Sequence, residues 1–138
     1  GAEVTITTLP GYLPLQTSQP MADVYRPNAV SLVGEKQFPN PIHRTGSTDM
    51  GDVSHIMPAI HPFVGGAIGT GHGKDYLIQD WELAILTAAK AMAFTIIDLL
   101  VDGAARAHNV LSSHRPSLRK NEYLTPIRSL QVEMTYTG

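Results

Sequence analysis

The sequence contains no cysteine. That excludes a disulfide framework and any thiolate metal site. That absence does not settle the compartment, but a reducing cytoplasm fits it, and a cytoplasmic protein is expected. Charge is also scarce. Charged residues make up 16% of the 138, the net charge is -2, and no run of Lys or Arg exceeds two. A nucleic-acid partner needs a basic patch to neutralise phosphates, so none is expected. No uninterrupted apolar run is long enough for a simple membrane span. The most apolar segment, residues 83–101, carries Lys90 and Asp98 and ends in Asp102-Gly103. It reads as a buried helix, and no membrane partner is expected. No segment has the pattern of a signal peptide. Internal repeats and low-complexity linkers are missing too. What remains is a chain that is 43% hydrophobic, globular in composition and long enough for one core.

The chemistry is concentrated in one region. Gly46-Ser47-Thr48-Asp49-Met50-Gly51-Asp52-Val53-Ser54-His55 is followed by Gly69-Thr70-Gly71-His72-Gly73-Lys74-Asp75-Tyr76. His43, His55, His61 and His72 fall within thirty residues. Imidazole and carboxylate together are the usual ligands of a borderline divalent metal. Asp52 and His55, three apart, share one face of a helix. The competing reading is structural: Asp49 or Asp52 caps a helix, and the histidines bond to loop backbone. No pair has a fixed ligand spacing such as His-Glu-x-x-His. His72 is the best single candidate, because flanking glycines let its backbone approach a ligand. His108 and His114 read as surface residues of a helix. Asp49 and Asp52 are also candidates for an acid/base pair. Ser47 and Ser54 lack the Gly-x-Ser-x-Gly setting of a nucleophile.

The glycine-rich stretch does not bind phosphate by any standard pattern. A Walker loop requires glycine where Ile68 stands, and Ser or Thr where Asp75 stands. The dinucleotide pattern fails because Gly73 comes one residue early.

Period-two alternation predicts a strand over residues 3–9, ended by Pro10-Gly11-Tyr12-Leu13-Pro14. A helix is expected over 21–33, disturbed by Pro27 and ended by Gly34. Residues 35–38 suggest a short strand before Pro39-Asn40-Pro41. A short helix is expected over 49–57, capped by Ser47, Thr48 or Asp49. Residues 59–68 read as a buried strand. Asp80 is expected to cap a long helix over 81–101, followed by a second over 104–113. The tail from Tyr123 has strand character at 130–136. Leu86, Ala89, Ala93, Ile97 and Leu100 are the expected buried stripe of the long helix, lying on a sheet. So few strands make an unfinished sheet, and the chain reads as part of something larger.

Five separated blocks carry a family likeness. They are Pro10-Gly11-Tyr12-Leu13-Pro14, the 46–54 segment, Met57-Pro58-Ala59, Gly69-Thr70-Gly71-His72, and Ala88-Ala89-Lys90-Ala91-Met92-Ala93. In this order they resemble the metal-dependent amidohydrolase/peptidase family of aminoacylases and di-zinc carboxypeptidases. The branch they most resemble is that of the aminobenzoyl-glutamate hydrolases. The likeness runs from about residue 2 to residue 105.

The resemblance implies an α/β fold, with the strands of a zinc-peptidase-like catalytic domain covered by long helices. Residues 1–13 would end an inserted lid or dimerisation domain, and 14–138 would be the C-terminal part of the catalytic domain. It implies one or two divalent metals, Zn or Mn, a small amide substrate and a homo-oligomer. His72 would be the last metal ligand. Ser47, Thr48, Asp49, Asp52 and His55 would lie on the substrate-binding loop. The other ligands and the general-base glutamate would belong to an upstream portion of the same protein. The implied reaction is amide hydrolysis, with an N-acyl amino acid, an aminobenzoyl-glutamate-like compound or a small peptide as substrate. The alternative is a non-catalytic fragment or interaction module. If the resemblance holds, the 46–55 segment and His72 converge on one cleft.

Overall fold

The computed structural model describes residues 1–39 and 46–138. Its elements run β1 (Glu3–Thr8), α1 (Gln19–Val33), a 3-10 turn (Glu35–Gln37), α2 (Asp49–Ile56), β2 (Ala67–Ile68) and β3 (Leu77–Ile78). A π-helical segment (Glu82–Thr87) then leads into α3 (Ala88–Ser113), followed by α4 (Lys120–Ser129) and β4 (Val132–Thr137). β1 pairs antiparallel with β4, Val4 opposite Tyr136 and Ile6 opposite Met134. One face of this ribbon is therefore apolar. The other carries Thr5 opposite Thr135, whose hydroxyls lie 3.2 Å apart. β2 and β3 form a second two-stranded ribbon.

The core is the contact between α1 and α3. Small residues allow the close approach: Ala29 on α1, with Ala91 and Thr95 on α3, are all buried. The buried Thr95 hydroxyl donates back to Ala91 O at 2.7 Å, so it costs little. Asn28 of α1 reaches across to donate to Asp98 Oδ2 at 2.8 Å. Arg106 pairs with the other oxygen of Asp98 at 3.0 Å. Val101 to Ala104 interrupt α3 with left-handed φ at Asp102, Gly103 and Ala104, so two helices meet at a corner. The expected break at Asp102-Gly103 and the second helix after it are both present.

The expected buried stripe of the long helix is corrected. Leu86, Ile97 and Leu100 are more than half exposed, and Ala89 and Ala93 are exposed as well. The helix rests on α1 through its small residues instead of on a sheet. Its large residues, with Met92 and Ile96, form an open apolar face. By length and composition alone, Glu82–Ser113 also suffices to cross a membrane. The chain exposes 10349 Å², against about 7,000 Å² for a compact monomer of this mass.

Two other expectations are corrected. Residues 35–38 form a 3-10 turn, not a strand, because Gly34 turns the chain at φ 80 and Glu35 pairs with Arg26. The Arg26 guanidinium sits 4.9 Å from the Phe38 ring centre and holds the turn against α1. Of residues 59–68 only Ala67 and Ile68 are strand. Pro58 and Pro62 lack the amide donors a longer ladder requires.

Candidate functional site

α2 starts where the sequence says it should. The Thr48 hydroxyl accepts from the Met50 amide, and the Asp49 carboxylate accepts from the same amide at 2.8 Å. Asp49 and Asp52 both lie in the first turn, where negative charge is favoured. Ser47 lies just before, bridged to Pro14.

Two of α2's polar side chains, Asp52 and Ser54, hold the 13–18 segment. The Leu13 amide donates to Asp52 Oδ1 at 2.8 Å, and the Gln16 amide to Ser54 Oγ at 2.9 Å. Ser54, 1% exposed, in turn donates to Gly51 O at 2.6 Å. The Ser18 amide donates to Ala59 O at 2.9 Å. At Gly51 the close packing leaves no room for a side chain: an added Cβ would fall 1.8 Å from Leu13 O. His55 Nδ1 lies 2.8 Å from Gly51 O. A carbonyl can only accept, so Nδ1 carries the hydrogen, and in the neutral ring Nε2 has a lone pair. A backbone-anchored imidazole of this kind can accept a proton or a cation at its far nitrogen.

A segment the sequence did not disclose closes over this arrangement. The Leu118 amide donates to His55 O at 3.0 Å, and Ser117 Oγ donates to Gln16 Oε1 at 2.6 Å. Tyr123 lies on α4. Its phenol pKa is raised from 10.0, first by desolvation and then by the Asp52 carboxylate. A folded pKa above the unfolded one contributes stability below pH 10 that is lost as pH climbs through the raised value. Alkaline unfolding above pH 10 is expected to ease in Tyr123→Phe, as read by far-UV dichroism against pH; an unchanged profile would show that this phenol carries none of the effect.

His72 sits on the turn between β2 and β3. The Gly73 amide donates to Thr70 O at 2.7 Å, closing a turn with His72 at its third position. Its φ is 64, a conformation that favours glycine. Gly69 stands at φ +85 with Asp75 O packed against it, so that position admits only glycine. The His72 side chain is exposed and makes no hydrogen bond or ion pair among the described residues.

The structure brings Asp52, Ser54 and His55 together with the 13–18 and 117–123 segments. Ser47, Thr48 and Asp49 line the entrance to α2. No hydrogen bond or ion pair among the described residues joins His72 to this group. Among the described residues no three His, Asp or Glu side chains gather into a metal-holding group. His43 lies outside the described residues. His61 stacks on Phe63, with ring centres 5.4 Å apart, and its Nδ1 is buried without a hydrogen-bond partner among the described residues. His114, at the C-terminal end of α3, is half-buried instead of fully on the surface, and its Nε2 is buried without a hydrogen-bond partner among the described residues. His108 is exposed as expected. Two open clefts of about 400 and 370 Å³ flank α1, and neither is lined by α2 or by His72.

Over 61 residues the chain is 39% identical to the Xaa-Arg dipeptidase of Mus musculus and 36% identical to that of Homo sapiens. Each match covers 41% of this chain. The chain spans only 14% of the length of these curated relatives. No family model matches, and no solved structure matches.

Proposed function

We propose that this chain is the C-terminal portion of a metal-dependent amidohydrolase or peptidase. The observation that carries the reading is the 39% identity to a dipeptidase; a dipeptidase cleaves an amide bond, the reaction class the five sequence blocks point to. Three features of the fold support it. His72 stands at the tip of a glycine turn in a conformation costly for histidine. The 46–55 segment is tied to residues 13–18 through Asp52 and Ser54, with Asp49 Oδ2 and His55 Nε2 making no hydrogen bond among the described residues. The apolar face of α3 is left open, which suits a helix that completes a larger α/β domain. In the aminobenzoyl-glutamate-like branch the substrate would be a small N-acyl amino acid or dipeptide, and the metal Zn or Mn.

The residues described here do not make a metal centre by themselves. One imidazole on a turn falls short of the roughly three protein ligands that a catalytic zinc needs. Within this reading the chain contributes His72 as a single ligand, and Ser47, Thr48, Asp49, Asp52 and His55 as a wall for the substrate. The remaining ligands and the general base come from the upstream portion. A second reading, a non-catalytic interaction module, is favoured by the lack of a metal-holding group among the described residues.

The deciding comparison is between the 138-residue chain and the same chain joined to its upstream portion. Both are assayed on acyl-amino acids, aminobenzoyl-glutamate and dipeptides, with zinc or manganese added. Metal-dependent hydrolysis is expected only from the joined protein. Inactivity of the joined protein on every amide, together with metal retention no better than the buffer control, would leave the interaction module as the reading.

A further inference from the structure

We infer that the corner of α3 at residues 101–104 is a hinge, and that through it residues 105–138 exchange between two copies of this chain. The exchange is independent of the proposed reaction. Asp102, Gly103 and Ala104 are left-handed in succession, at φ 53, 67 and 61. L-residues adopt that conformation at a cost, and as single residues when they do. Two of these three carry a Cβ. The stretches on either side are helical. Relaxing the corner to ordinary helix angles joins them into one straight rod and removes the strain at both residues.

What holds the bend is made by the arm beyond it. Arg106 pairs with Asp98 at 3.0 Å. A helix brings together residues three or four apart, and in a straight one residues eight apart are separated by about 12 Å along the axis. The pair is therefore a product of the bend. With Arg106 more than half exposed, it is a weak latch. The stronger hold is remote. β4 pairs with β1 over residues 3–8 and 132–137. The Leu118 amide donates to His55 O at 3.0 Å, and Ser117 Oγ to Gln16 Oε1 at 2.6 Å. All of these partners of the arm (residues 3–8, Gln16 and His55) precede the corner. A second copy offers the same partners in the same geometry. Two straightened chains regain those bonds by exchange and shed the strain of two corners, giving up only the latch. One straightened chain alone loses them all, so the rod needs a second copy.

The chain has no cysteine, so introduced thiols report the exchange directly. Thr5 lies opposite Thr135, with hydroxyls 3.2 Å apart. One chain carries Thr5→Cys and another, distinguishable in mass, carries Thr135→Cys. They are unfolded together, refolded, sized by analytical ultracentrifugation and oxidised. A 5–135 disulfide between the two chains is expected in the dimer fraction. An unexchanged dimer keeps each introduced thiol opposite a threonine of its own chain. Two substitutions set the sign. A Cβ at Gly103 meets no atom within 4 Å, so Gly103→Ala acts on conformation alone: it strains the bend and favours the rod. Ala104→Gly does the reverse. The left-handed cost is worth roughly 5- to 30-fold per residue, and a dimer has two corners, so the factor is squared. The dimer Kd is expected to fall at least about 25-fold in Gly103→Ala and to rise as much in Ala104→Gly. Should Gly103→Ala not refold, Arg106→Gln, which removes only the exposed latch, takes its place with the same sign and a smaller effect. A chain that stays monomeric with its corner strained or unlatched overturns the exchange, as does a dimer without the mixed disulfide. A mixed disulfide in a dimer whose Kd ignores these substitutions overturns the hinge.

Discussion

Replacing His72 by Ala is expected to remove most amide-hydrolysing activity from the joined protein while leaving its fold intact. Losing an outer-shell partner of a metal typically costs about 10- to 100-fold. Losing a ligand itself should cost about a hundredfold or more in kcat/KM, with weaker metal retention. The structural side of the prediction is sharper. His72 is exposed, bonds to nothing among the described residues and sits at φ 64. A left-handed backbone costs a non-glycine residue roughly 1–2 kcal/mol. His72→Gly should therefore be more stable than wild type by about 1 kcal/mol, and as inactive as His72→Ala. A position where the stabler residue is the inactive one is strained for function. Equal activity of wild type, His72→Ala and His72→Gly would end the ligand assignment. Loss of stability in His72→Gly would show that the imidazole holds the turn.

The parts legible in the sequence are those governed by local physics. The cap at Thr48, the extent of α2, the strand at residues 3–8 and the break at Asp102-Gly103 all depend on nearest neighbours. The orientation of α3 was not legible, for a definite reason. A helix apolar nearly all round has no unique buried face in its periodicity. Its packed side is set by where Ala91 and Thr95 let α1 come close, and periodicity weights the large residues instead. α4 was missed because Pro126 interrupts a segment that is polar on the whole. The β1 to β4 pairing joins opposite ends of the chain, which no local pattern encodes. At the site, the carboxylates and imidazoles stood out in the sequence but their commitments did not. Asp52 and Ser54 are largely occupied with backbone amides of residues 13 and 16. The structural reading, in which Asp49 or Asp52 caps a helix and the histidines bond to loop backbone, holds for Asp49 at the start of α2; Asp52 instead holds the Leu13 amide, and His55 bonds to the helix's own Gly51 carbonyl.

That commitment makes the junction between α2 and the 13–18 segment sensitive to added bulk, and Gly51→Ala tests it. Two effects oppose each other. Ala is favoured over Gly inside a helix by about 1 kcal/mol. Against that, a Cβ at Gly51 would lie 1.8 Å from Leu13 O and 2.8 Å from Leu13 C. These are backbone atoms, so no rotamer change relieves the overlap. Either α2 or the 13–18 segment must move, and the bonds from Leu13 to Asp52 and from Gln16 to Ser54 stretch or break. Overpacking alone typically costs about 1–3 kcal/mol, and the two bonds about 1 kcal/mol each. The clash wins, and a net loss of about 2–4 kcal/mol is expected in denaturant titration. Gly46→Ala is the control. Nothing lies within 4 Å of the Cβ it would add, so it should be neutral or stabilising by up to about 1 kcal/mol through the unfolded chain. If Gly51→Ala instead matched Gly46→Ala, α2 would not be seated on Leu13 at all. The wall and the placement of Asp52 and His55 would then have to be rebuilt from a different packing.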